Sequence, residues 1–287
     1  MAMAIRRKSA ASSPVRKRLA TMSRVSELSD DDVASQVAAP VLVRGPVART
    51  TTGKRPFLEV FAGSCHLSKA FERAGHPVFS MDVKLSTSHD MHGEEGPRVL
   101  KAMIKHLQDT TGWKPYIHFA PPCSSYSQAR FPKIRSSANP NGINANQLTA
   151  HERNILKHAN KITSNTFKVM EELSNDGFLI SLEQPAGSLM LKVRSFKSWA
   201  HKSGATPVFV DYCQYGMDYR KRTVLYTAPS SFLEKLARKC PGDHQHKSTL
   251  SGWSFDKKSR LPTSRGCSAY PPDLCSAWVS VFDAYEF

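Results

Sequence analysis

The sequence predicts an α/β domain: a largely parallel sheet covered by helices on both faces, with a small basic lobe near the C-terminus. Two observations predict it. Short runs that are apolar throughout alternate with segments whose apolar residues recur at helical spacing, the pattern of strands buried on both sides. The residues best suited to chemistry fall directly after those runs, where ligands bind in sheets of this kind.

The elements follow in order from Phe57. "PFLEVFAG" is a short apolar run ending in glycine, a buried strand. Leu67, Ala70, Phe71 and Ala74 then share one helical face, and Gly75 stops the helix. "HPVFSMDV" reads as the second strand, and Val99, Leu100, Met103, Ile104 and Leu107 mark the second helix. "YIHFA" is a third strand and runs straight into "PPCSSYS". Residues 128–150 are rich in Pro, Ser and Asn and read as a long loop. Ile155, Ala159, Ile162, Thr166, Val169 and Leu173 line one side of a long helix. "GFLISLE", "TPVFVDYC" and "RTVLYTA" supply three more strands.

Composition bounds the function. Forty Lys and Arg stand against 24 Asp and Glu in 287 residues, a formal net charge of +16. Such an excess points to a polyanionic partner, nucleic acid above all. No apolar run approaches the roughly 20 residues that span a bilayer, and no secretory leader is visible, so the expected setting is intracellular, without a membrane partner. The six cysteines lack the rhythm of a disulfide scaffold and read as free thiols, open to catalysis or metal binding. A monomer is the expected state. Residues 1–50 read as a disordered tail: the first 24 residues carry seven Lys or Arg and no acid. A nucleic-acid-binding arm, a nuclear import signal, an organelle transit peptide and a plain solvated tail all suit that composition.

Four motifs carry chemistry. In "FLEVFAGSCHLSKAFERAG" a strand, a tight turn at Gly63 and a helix start form a pocket for the polar end of a cofactor, or an ordinary strand-to-helix turn. Asp82 ends the next strand, where a carboxylate accepts hydrogen bonds from ribose hydroxyls. In "APPCSSYS" Pro121 and Pro122 fix the backbone ahead of Cys123, which is either a nucleophile held at one angle or a packing cysteine. In "ISLEQPAG" Glu183 ends a strand, as a structural ion-pair residue or as a proton donor working with Cys123. In "YGMDYRKRTVLYT" Arg220 and Arg222 are two apart, so strand alternation aims both guanidinium groups to one side.

In this order the pieces resemble the DNA (cytosine-5)-methyltransferase family, from about Phe57 to the C-terminus. "FLEVFAG" is similar to that family's F-x-D-L-F-A-G, "PPCSSYS" to its P-P-C-Q-x-F-S, "EQP" to its E-N-V, and "YGMDYRKRTVL" to its arginine motif. "YPPDLCSAWVSVF" looks like its closing helix. The resemblance implies a Rossmann-like S-adenosylmethionine-dependent methyltransferase fold. It divides the chain into a catalytic domain over residues 51–227, a short target-recognition-like insertion over 228–266, and a C-terminal helix over 267–287 that returns to the catalytic domain. It implies that a cytosine is flipped into the pocket, that Cys123 attacks its C6, that Glu183 protonates N3, and that Arg220 and Arg222 position this pair and the nucleotide. Phe61, Ala62, Gly63, Ser64, Asp82, Asp90 and Pro121 would hold S-adenosylmethionine, and the loop 128–150 would close over the base. DNA is the implied partner, a nucleus the implied location in a eukaryote. The same chemistry on RNA, or a nucleic-acid-binding relative without activity, shares these features.

The sequence departs from the family at Ser124, Gln184 and Pro185, and at Cys65 and His66, whose bulk replaces glycine beside the cofactor turn. The insertion is short and basic, with eight Lys or Arg against three acids, so it grips a phosphate backbone better than it reads bases. Its "CPGDHQH" places Cys240, His244 and His246 where Cys213 or Cys267 could complete a zinc site, but the spacing is not a strong zinc signature, and an ordinary surface loop without metal is the favoured reading. Trp253 suits base stacking or packing of the small lobe.

Overall fold

The computed structural model describes residues 53–229, 232–247 and 269–285. The predicted tail, Trp253 and Cys267 lie outside the described residues. Six strands form one sheet: β1 (Phe57–Val60), β2 (Val78–Met81), β3 (Tyr116–Phe119), β4 (Ile180–Pro185), β5 (Thr206–Asp211) and β6 (Arg222–Ala228). Their order is β2-β1-β3-β4-β6-β5. The first four are mutually parallel, and β6 lies antiparallel between β4 and β5. The connector 212–221 is too short for the crossover of a dozen or more residues that a parallel neighbour requires, so β6 must turn back. All six strands coincide with apolar runs in the sequence.

Among the described residues, five helices clothe the sheet: α1 (His66–Arg73), α2 (Glu95–Thr111), α3 (Ala150–Asn175), α4 (Arg194–Ser203) and α5 (Pro272–Asp283). Strand alternation sorts the core into two halves. Leu58, Val60, Ile117, Phe119, Ile180 and Leu182 pack with Leu100 and Ile104 of α2, Phe167 and Met170 of α3, and Trp199 of α4. Phe57, Tyr116, Val208, Val210 and Leu225 pack with Leu67 and Phe71 of α1 and with Leu274 and Trp278 of α5. The helices therefore cover both faces, as the apolar strands require. Among the described residues, no helix is long and apolar enough to cross a membrane.

Helix α4 is not legible from periodicity. Its buried residues are Phe196 and Trp199, one turn apart on an otherwise polar segment, and Gly204 ends it with a left-handed φ of 64°. The loop 128–150 also differs from the open loop expected. Arg135 is buried within it and donates to the carbonyls of Ser125 (3.1 Å) and Pro140 (2.6 Å) and to Asn160 Oδ1 (2.8 Å). Its guanidinium lies 3.7 Å from the centre of the Tyr126 ring. Ile134 and Leu148 meet Leu156 of α3, and Thr149 caps that helix in a reciprocal box with Glu152.

A chain of buried polar groups joins the sheet to α5. Trp278 Nε1 donates to the Tyr116 hydroxyl at 3.0 Å. The Tyr116 hydroxyl meets Ser181 Oγ, which lies 2.7 Å from His118 Nδ1; His118 Nε2 lies 2.8 Å from the Tyr270 hydroxyl. Burial pushes His118 down to about 3, so the ring is neutral and donates through one nitrogen while accepting through the other. The closing segment is thus bonded as well as packed. Truncating Trp278 to alanine removes a fully buried indole and one of the two hydrogen bonds of the Tyr116 hydroxyl; urea unfolding should show a loss of about 3–5 kcal/mol, with far-ultraviolet circular dichroism unchanged below the transition.

Candidate active site

The site begins where β3 and β4 end side by side, paired through Phe119 and Leu182. After β3 the chain runs through Pro121 and Pro122 into Cys123, which opens a single 3₁₀ turn, Ser124–Tyr126. Gln184 holds this bend. Its side-chain amide donates to the Pro121 carbonyl at 2.7 Å, and its oxygen accepts from Ser188 Oγ at 2.9 Å. Both amide ends are engaged, and the residue is fully buried. The glutamine that departs from the family's motif is therefore the brace for the proline pair.

One residue earlier, Glu183 faces the opposite side of β4, is 8% exposed, and has an Oε1 with no hydrogen bond within ordinary length. The nearest cation is Lys221, whose ammonium lies 3.7 Å from that oxygen. Burial raises the Glu183 carboxyl above its usual range, with Lys221 pulling the other way. Burial and the Glu183 charge likewise raise the Cys123 thiol, again opposed by Lys221. Burial would lower Lys221, but Tyr212, Glu183 and Cys123 outweigh it and keep the ammonium protonated. Lys221 also lies over the Tyr212 ring, 4.6 Å from its centre, and 3.3 Å from its hydroxyl. The half-buried Cys123 thiol and Lys221 ammonium thus lie within electrostatic reach of the buried Glu183 carboxyl.

Arg220 and Arg222 do share one side, but that side faces Asp211. Arg222 binds the Asp211 carboxylate through Nε (2.9 Å) and Nη2 (2.6 Å), and Arg220 Nε lies 3.5 Å from the same group. Burial pushes Asp211 up, yet the bonds from Arg222 and from the Cys240 backbone prevail and hold it below the usual carboxylate range. The cation that reaches Glu183 is instead the residue between the arginines. Alternation offered the signal: if positions 220 and 222 turn one way, 221 turns the other.

The cofactor-side turn is tightly wound. Phe61, Gly63 and Cys65 have φ of 65°, 54° and 56°, the left-handed region that Phe and Cys seldom enter. The backbones of Phe61 and Ala62 donate to the Met81 carbonyl at 2.7 and 3.1 Å, and Ser64 is exposed. Asp82 accepts from the Gly63 backbone (2.9 Å) and the Lys84 backbone (2.9 Å), one bond to each carboxylate oxygen. Asp90 accepts from the His92 backbone at 2.8 Å. Val83 and Leu85, both exposed, follow Asp82 in the chain. His66 is exposed, and its Nδ1 lies 3.2 Å from the Tyr270 carbonyl, so its ring belongs to the contact with the closing segment. Glu59, missed in the sequence, is buried under the turn and accepts from the Ser68 backbone at 2.9 Å. Burial pushes it up to about 7.

Cys240, His244 and His246 lie apart from this pocket, gathered with Cys213.

No protein-family model matches the chain, and no curated protein matches its sequence significantly. Among solved structures, the Entamoeba histolytica methyltransferase EhMeth is similar, at 10% identity and a TM-score of 0.38, over 74% of this chain and 64% of that one. The S. pombe Dnmt2 methyltransferase is similar at 10% identity and a TM-score of 0.36, over 68% and 58% respectively. The chain spans less than two thirds of either neighbour.

The electrostatic grouping of Cys123, Glu183 and Lys221 predicts opposite effects of its two charged members. In Lys221→Met the pH profile for alkylation of Cys123, followed by peptide mass spectrometry, should move to higher pH. In Glu183→Gln it should move to lower pH. Equal profiles in all three proteins would separate the thiol from both charges.

Proposed function

We propose that this chain is an S-adenosylmethionine-dependent methyltransferase acting at C5 of cytosine in nucleic acid, with DNA as the first substrate and RNA as the second. One observation carries the reading: a buried carboxyl oxygen without a hydrogen bond sits with a thiol and an ammonium where two adjacent strands end. The ion pair with Lys221 is longer than a hydrogen bond, which leaves a protonated carboxyl there able to donate to an unprotonated ring nitrogen. The excess of basic side chains supports a polyanionic substrate.

On this reading the chain's residues divide the work. The Cys123 thiolate forms a bond to C6 of the cytosine, and the Glu183 carboxyl gives N3 a proton, so the ring does not have to carry the negative charge. Its raised pKa suits a group that must hold a proton before giving it. Lys221 balances whichever of the two acids is ionised. Gln184, through Pro121, holds the sulfur at its angle, and a displacement of about 1 Å there would cost on the order of 100-fold in rate. Arg220 and Arg222 act at a distance by fixing the entrance to β6, which carries Lys221.

The cofactor would supply the methyl group. The turn after β1 fits it: Asp82 keeps lone pairs for ribose hydroxyls, Val83 and Leu85 offer an apolar surface to a base, and His66 is held out of the turn.

The test is mechanism-based trapping. The full chain is incubated with labelled S-adenosylmethionine and either DNA or RNA containing 5-fluorocytosine, whose fluorine cannot leave as a proton does. The expected result is a stable protein–nucleic acid adduct that Cys123→Ser abolishes. Glu183→Gln should slow its formation by about 10²–10⁴-fold. Methyl transfer without an adduct would refute the role of Cys123, and absence of cofactor binding would leave a nucleic-acid-binding protein without this reaction.

A further inference from the structure

Beyond the pocket, the end of β5 gathers a second set of reactive side chains. Cys213 lies in the short helical turn Tyr212–Tyr215 that follows the strand. Cys240 arrives from a different part of the chain, after Arg238 pairs with Val210 at the sheet edge. Its backbone amide donates to Asp211 Oδ2 at 2.7 Å. The chain then turns at Gly242, with φ of 85°, and brings His244 and His246 back over the cysteine. Lys247 closes the segment, its backbone donating to the Asp218 carbonyl at 2.9 Å.

One ligand atom from each of Cys213, Cys240, His244 and His246 lies within 4.8 Å of every other. Cys240 Sγ is 3.7 Å from His244 Nε2 and 3.6 Å from His246 Nε2. A tetrahedral zinc ion with bonds of about 2.3 Å to sulfur and 2.0–2.1 Å to nitrogen requires a sulfur-to-nitrogen edge of about 3.6 Å. His244 Nδ1 lies 2.9 Å from Asp243 Oδ1, a carboxylate contact that orients the ring and leaves Nε2 for a metal. A surface loop with incidental histidines explains neither the convergence of two cysteines from separate segments nor this orientation.

We propose that Cys213, Cys240, His244 and His246 bind one zinc ion in a closed, structural site. Two sulfurs and two imidazoles suit zinc, and four protein ligands leave no open position for chemistry. The ion would rivet residues 238–247 to the end of β5. Tyr212, adjacent to Cys213, contacts Lys221, so the rivet would also steady the cation beside Glu183. The proposal is independent of the reaction assigned to that pocket.

The test measures metal in the full chain, purified without chelator and freed of any affinity tag. Mass spectrometry of the metal should find about one zinc per chain. Cys213→Ser and Cys240→Ser should lose it, and Cys123→Ser should keep it. Cobalt exchanged into the wild type should give strong visible absorption of tetrahedral cobalt with a thiolate charge-transfer band, absent from Cys240→Ser. Should the cysteine variants fail to fold, Asp243→Asn serves, since the residue is exposed: competition with a chromogenic chelator should show about 10–100-fold weaker binding in a folded protein. Three results would each overturn the proposal: no bound zinc and no cobalt spectrum in the wild type, a Cys213–Cys240 disulfide, or full zinc content in both cysteine variants.

Discussion

The hydrogen bond from the Gln184 amide to the Pro121 carbonyl is the constraint on which the site depends. It joins the ends of two neighbouring strands at the point where each releases a reactive side chain. Cys123 lies two residues beyond Pro121, and Glu183 lies one residue before Gln184. The prolines remove most of the backbone freedom between carbonyl and sulfur. The buried amide, satisfied at both ends, cannot turn without losing a bond. Sulfur and carboxyl are therefore set by the sheet itself, and a rigid strand end positions a group more closely than a surface loop does.

The direction of β6 completes the arrangement. Pro185, the last residue of β4, pairs with Thr223, and Glu183 pairs with Leu225. Because β6 runs antiparallel, its entrance lies beside the exit of β4. A parallel β6 would start at the other end of the sheet, a strand's length from Cys123. The pair between Asp211 and Arg222 bolts this entrance to the end of β5, since the two residues are opposite one another in the register. The exposed arginines and the half-buried lysine thus have separate tasks, one anchoring the strand's start and the other reaching Glu183.

Much of the fold was legible because burial on both faces leaves continuous apolar runs: all six strands can be read that way. Helix α4 could not, since two buried residues on a polar segment give no periodicity. Neither could the folded state of residues 128–150, where a buried arginine works beside a small apolar cluster of Ile134, Leu148 and Leu156 and looks in sequence like one more basic loop residue. In the site, Cys123 and Glu183 stood out through their motifs, and the structure places them in one electrostatic unit. Lys221 was hidden between two more conspicuous arginines, although the same alternation that grouped those two required it to face away. Cys213 was named only as one possible fourth ligand, because nothing in local spacing tells which distant cysteine the fold will deliver.

The raised pKa values of Cys123 and Glu183 share a first cause, burial, which disfavours the charged form of each. Cys123 and Glu183 repel one another when both are ionised, and one ammonium faces them. At Cys123 the Glu183 charge adds to the effect of burial, and Lys221 opposes the rise at both groups. With the carboxylate ionised, the thiol is held neutral and safe from stray oxidation or alkylation. With the carboxyl protonated, the repulsion is gone and Lys221 stabilises the thiolate. The two arrangements have the same net charge, so passing between them requires no ion to leave the protein. On the proposed reading the reaction needs the second arrangement in both of its parts, a thiolate to attack and a proton to give. A lone cysteine activated by a cation would have only the first, and would stay reactive whether or not a base had entered.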